Sequence, residues 1–176
     1  MIENFTFYTP TKIIFGKDCI AENKDLIKSY GKKAFVISYE IPGGNIALDD
    51  VEKTLKELNI EYMVYTDVEA NPSVETIERA AKVGKNADID FMIGVGGGSP
   101  IDASKAIGVL IANPDKEGMD LFKDSSLKSL PLLAVSTTAG TGAEVAPFSV
   151  VTRNDIHTKQ AISPKIFPEI AFLDPI

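Results

Sequence analysis

Cysteine, histidine, tryptophan and long apolar runs are all scarce in this sequence. Cys19 and His157 each occur once and tryptophan is absent among 176 residues. A single cysteine excludes an internal disulfide framework, and with a single histidine it cannot supply the several N and S donors of a zinc site. Cys19 is expected to be a small buried apolar residue, and His157, in a polar turn, to be solvated. No apolar run approaches the roughly 20 residues that cross a bilayer, and Met1-Ile-Glu-Asn lacks the charged and apolar regions of a secretion signal. Basic residues are outnumbered, 18 Lys and Arg against 25 Asp and Glu, for a net charge of −7. Neither nucleic acid nor an anionic membrane finds a basic patch here; Lys32-Lys33 is too short to make one. These absences predict a cytoplasmic protein with no nucleic-acid or membrane partner.

What is present is enough apolar residue, 44% of the chain, to fill the core of one domain of common size. Apolar runs alternate with helical patterns. Strands are expected at Ala34 to Ser38, Glu61 to Tyr65, Phe91 to Val95 and Leu130 to Val135, and helices at Lys17 to Tyr30, Leu48 to Leu58, Ser73 to Lys85 and from Pro100 towards Asn113. Strands separated by helices of ten or more residues predict a mostly parallel sheet covered on both faces, an α/β, Rossmann-like arrangement. Around it, Phe5, Phe7 and Lys12 to Phe15 read as a short N-terminal hairpin, Phe148 to Thr152 and Thr158 to Ile162 as a second hairpin near the C-terminus, and Ile170 to Leu173 as a closing strand. The aromatic edge from Phe5 to Tyr8 is expected to pair with a second chain or with the domain's own sheet.

The chemistry concentrates between Asp90 and Asn113. There the strand Phe91 to Val95 runs into Gly96-Gly97-Gly98 and then into a helix opened by Ser99-Pro100. Residues without a Cβ let a ligand approach the main chain closely. Ser99 suits the cap and Pro100 the first turn. The unpaired amides and partial positive charge of such a helix start make a site for phosphate. A flexible turn is the plain alternative for a triple glycine; the strand before and the proline-opened helix after it favour the phosphate loop. Gly94, Gly96 and Ser99 imitate the G-x-G-x-x-G/A dinucleotide pattern, but the next strand ends in Ser136-Thr137-Thr138 where that pattern wants a ribose-binding acid. This second cluster, Ser136 to Gly142, holds four hydroxyls and two glycines. It suits phosphate and ribose oxygens, or an ordinary hydroxyl-capped turn.

Gly96-Gly-Gly-Ser-Pro-Ile-Asp102, Thr137-Thr-Ala-Gly-Thr-Gly-Ala-Glu144, Asp174-Pro175, the leading pattern of residues 7 to 16 and Asn71-Pro72 together resemble the N-terminal half of the iron-containing, or group III, alcohol dehydrogenases. The resemblance spans the whole chain and implies NAD or NADP as cofactor. It places Gly96, Gly97, Gly98 and Ser99 at the pyrophosphate, with Asp102 nearby or serving only the helix dipole. It sets Thr137, Thr138 and Thr141 on the phosphate and nicotinamide side and Lys159 at a ribose hydroxyl. Leu173 would pack by the nicotinamide and Asn71 lie by the adenosine. NAD-preferring relatives carry an aspartate at the end of the first strand; Tyr39 stands here, which favours NADP unless Glu40 swings inward. The resemblance further implies a small alcohol or aldehyde substrate in the intact enzyme and a homodimer. The family's helical metal-binding domain, which would bring iron or zinc, is expected to lie outside this chain, because one histidine cannot furnish its three. A glycerol-dehydrogenase-like or dehydroquinate-synthase-like relative, or a non-catalytic module for a nucleotide or sugar phosphate, are the other readings.

Overall fold

The computed structural model describes residue 6 and residues 8–175. Strands β1 (Lys12–Phe15), β2 (Lys33–Ile37), β3 (Glu61–Tyr65), β4 (Phe91–Gly96), β5 (Leu132–Ser136) and β8 (Ile170–Leu173) form one sheet in the order β1-β8-β5-β4-β2-β3. Each pairing in it is parallel. β6 (Val150–Arg153) and β7 (Thr158–Ala161) make a separate antiparallel hairpin. The four strands expected between the helices, β2 to β5, therefore lie side by side.

Helices cover both faces of the sheet because the strands are apolar on both sides. Phe35 and Ile37 of β2 share a core with Ile77 and Ala80 of α3 (Val74–Lys85) and with Ala103 and Ile107 of α4 (Gly98–Ala112). The alternate residues, Ala34 and Val36, pack with Ile20 of α1 (Cys19–Glu22) and with Val51 and Leu55 of α2 (Ile46–Glu57). Period-two alternation thus feeds two cores from one strand. Ser73 caps α3 through the Thr76 amide, as expected, and Asn45 caps α2 through Leu48, which starts that helix two residues early. Such caps are each worth about 1 kcal/mol.

Two departures have local causes. The helix expected over Lys17 to Tyr30 breaks at Asn23, whose side-chain amide donates to the Cys19 carbonyl at 2.9 Å. A 3₁₀ segment, Lys24–Tyr30, follows. Cys19 is buried as expected, and burial pushes its thiol up. At the N-terminus, Phe5 and Phe7 lie outside the described residues. The other arm, β1, is an edge strand of the main sheet, parallel to β8.

The sheet order positions the site. From β2 the chain steps outward to β3, then returns through α3 to place β4 on the opposite side of β2. The loops after β2 and β4 diverge at that point, and the crevice between them, beyond the carboxyl ends of the strands, is where such sheets bind ligands.

Candidate functional site

Gly96 ends β4 with φ +138°, a conformation that side chains disfavour. A Cβ there would lie 2.7 Å from the Tyr39 ring and 2.6 Å from Pro100. Tyr39, following β2, is therefore packed against the glycine loop across the switch point. The helix start differs from expectation. Gly97, not Ser99, is the cap residue, and it has no side chain to offer. Gly98 and Ser99 form the first turn, whose amides have no partner within the helix. Ser99 is free of capping duty because its hydroxyl accepts the Asn71 amide at 3.1 Å. Pro100 sits in the same turn, where its missing N–H costs nothing.

The threonine cluster faces this turn. A Cβ on Gly97 would stand 3.0 Å from Thr138 Oγ1, and one on Gly98 would stand 2.9 Å from both Oγ1 and Cγ2 of Thr141. The missing side chains let both threonines come to contact distance of the first turn of α4, so that its free amides and the two hydroxyls gather at one place. Thr137 donates its amide to Gly96 O at 3.0 Å, tying the two loops at their bases. Thr137, Thr138 and Leu173 also line an open cleft of about 650 Å³ beside this cluster. Phe15, Ile46 and Pro175 give it apolar walls.

Asn71 joins three elements. Its amide goes to Ser99 in α4, its carbonyl accepts Thr152 Oγ1 of β6 at 2.8 Å, and its side-chain oxygen accepts Lys159 Nζ of β7 at 2.8 Å. Its backbone is left-handed, φ 58°, which asparagine tolerates better than most residues. Lys159 is thereby gathered to the glycine loop. Asp102 is engaged differently: one carboxylate oxygen accepts the Val150 amide at 3.0 Å, and the other lies 3.7 Å from Lys105 Nζ. Burial pushes its carboxyl up, against the pull of that amide and that ammonium. Asp102 fastens the second hairpin to α4. His157 is exposed in the β6–β7 turn, as expected.

Lys105 was visible in the sequence only as a lysine at an apolar position of a helical repeat. It is fully buried and donates to the carbonyls of Ala143, Ala146 and Phe148 at 2.7, 2.8 and 2.7 Å. Burial pushes its ammonium down to about 8 from an ordinary 10.5, opposed by Asp102 and Glu144.

The geometry defines a class: a Rossmann-like α/β domain with a glycine loop at its switch point, walled by hydroxyls. Residues 10–175 match the iron-containing alcohol dehydrogenase family, and the chain belongs to it. It is 36% identical over 181 residues to a probable NADH-dependent butanol dehydrogenase of Bacillus subtilis, covering 99% of this chain and 45% of that protein. It is 34% identical over 177 residues to an NADPH-dependent butanol dehydrogenase of Clostridium saccharobutylicum, covering 96% and 44%. The crystal structure of an iron-containing alcohol dehydrogenase from Thermotoga maritima superposes with a TM-score of 0.92 at 37% identity, over 98% of this chain and 48% of that one. The chain spans a little under half the length of these relatives.

Proposed function

We propose that this chain is the dinucleotide-binding portion of a metal-dependent alcohol dehydrogenase, in which NAD(P)H exchanges hydride with a small aldehyde or alcohol. The convergence of the α4 first-turn amides with the Thr138 and Thr141 hydroxyls carries this reading. A gathering of donors at a helix start suits a diphosphate: side chains are missing at Gly97 and Gly98, where backbone must approach the ligand, and hydroxyls stand beside the free amides. The Gly97, Gly98 and Ser99 amides and the two threonine hydroxyls hold the pyrophosphate. Lys159, steadied by Asn71, serves a ribose hydroxyl, and Leu173 with Thr137 lines the nicotinamide side of the cleft. Asp102, committed to Val150 and Lys105, acts through the hairpin. The dinucleotide supplies the hydride chemistry, and the protein orients it.

Among the described residues no group of three or more His, Cys, Asp and Glu is placed to hold a metal. The family's metal ligands are assigned to the part of the relatives that this chain does not span. A homodimer through the N-terminal aromatic edge, Phe5 to Tyr8, is part of this reading: Tyr8 is 76% exposed, and exposed apolar edges invite pairing. NADP is favoured over NAD because Tyr39, not a carboxylate, follows β2, and nothing at that position repels a 2′-phosphate.

Calorimetric titration with NADPH, NADH and ATP tests the reading. Dinucleotide should bind, NADPH tightest, and Gly98→Val should lose at least tenfold, about 1.4 kcal/mol. ATP binding as tightly as either dinucleotide would instead favour a nucleotide module. NADH tighter than NADPH by tenfold would overturn the cofactor preference.

A further inference from the structure

We infer that Lys105 is a positioning residue for dinucleotide binding, holding the threonine hydroxyls beside the α4 amides by hanging the threonine-bearing segment on α4. The inference rests on the dinucleotide reading above. It starts from an oddity of packing: lysine is almost never fully buried unless its charge is satisfied. Here all three ammonium protons are used, on the carbonyls of Ala143, Ala146 and Phe148. Those residues belong to a stretch between β5 and β6 with no helix or strand of its own, whose carbonyls therefore lack ladder partners. The same stretch is pinned twice more to α4, by Ser149 Oγ donating to the Asp102 carbonyl at 2.7 Å and by the Val150 amide on the Asp102 carboxylate. At its start stand Thr138 and Thr141, in contact range of Gly97 and Gly98.

One helix consequently carries both sets of donors. Its first turn presents the amides, and Lys105, two turns on, fixes the opposing hydroxyls. Replacing the ammonium with an apolar group of like length would leave three carbonyls unpaired and free the segment to drift. Asp102 on α4 and Glu144 on the segment are the acidic groups that favour the charged form.

The test compares the parent with Lys105→Met by NADPH titration and by amide hydrogen exchange. The expected result is at least tenfold weaker NADPH binding, with faster exchange confined to residues 141–148 and unchanged protection in β4 and β5. Equal affinity in the variant overturns the inference. So does weakened binding accompanied by faster exchange throughout the sheet, which would make Lys105 a general stability residue. If Lys105→Met does not fold, the parent decides through its pH profile. NADPH affinity should fall at least threefold between pH 7 and pH 9.5 as the ammonium loses its third donor, and an affinity constant over that range overturns the inference. A parent that binds no dinucleotide at any pH defeats the underlying reading instead.

Discussion

Helix α4 carries the proposed binding surface, and its seat on the sheet depends on one missing side chain. Gly94, inside β4, would with a methyl group place that carbon 2.7 Å from Ser104 Oγ, 3.2 Å from Ser104 Cβ and 3.2 Å from the Ile101 backbone. Ser104 cannot simply turn aside, because its hydroxyl donates to the Pro100 carbonyl at 2.7 Å. In Gly94→Ala the helix must rise or the hydroxyl must leave its bond. Overpacking a close-packed interior costs about 1–3 kcal/mol, and a lost buried hydrogen bond adds about 1 kcal/mol. The expected destabilisation is then about 2–4 kcal/mol, a fall in Tm of about 5–15 °C for a domain of this size. Gly140→Ala is the matched control. Nothing lies within 4 Å of its added methyl, so its stability should stay within about 0.5 kcal/mol of the parent. Scanning calorimetry on the three proteins reads the difference directly. If Gly94→Ala melts with the parent, α4 does not sit on β4 as described, and the placement of the glycine loop fails with it.

Asp90→Ala should cost about 1–2 kcal/mol in urea unfolding, because one oxygen accepts both the Lys32 and Lys33 amides, at 2.6 and 2.9 Å; Asp90→Asn should recover part of that. Breaking the Lys24–Glu57 pair, with both side chains about two-fifths exposed, should leave the urea midpoint unchanged within error in a double-mutant cycle, because solvent screens the two charges. The Lys105 ammonium, held at about 8 in the fold and 10.5 outside it, binds fewer protons folded than unfolded between those values. That group alone makes the protein more stable as pH rises through the window, by up to about 3 kcal/mol. The stability difference between parent and Lys105→Met should therefore widen in the parent's favour from pH 8 to pH 10; a difference constant with pH would contradict the assignment of that shift to Lys105.

Local pattern made the strands and helices legible, since β2, β3, β4 and the start of α3 at Ser73 announce themselves within a few residues of sequence. The glycine loop was legible for the same reason. Spatial order was not. β1 pairs with β8, at the other end of the chain, and no short-range periodicity encodes that partnership. Ser99 illustrates a finer limit: a serine before a helical proline fits a cap by composition, yet the Asn71 amide, in the loop between β3 and α3, claims its hydroxyl and leaves the cap to Gly97. Lys105 was hidden because its three acceptors lie 38 to 43 residues away. Only a charged residue on an otherwise apolar helical face hinted at it.

The most direct measurement is a backbone amide NMR titration of the chain with NADPH, following each site by number. Binding across the switch point predicts that the amides of Gly97, Gly98, Ser99, Thr138 and Thr141 shift together and saturate at one concentration. Lys12 and Glu169, at the amino ends of β1 and β8, should stay still. Shifts centred on that opposite edge, or silence from Gly97 to Ser99 at saturating NADPH, would contradict a dinucleotide held by the first turn of α4.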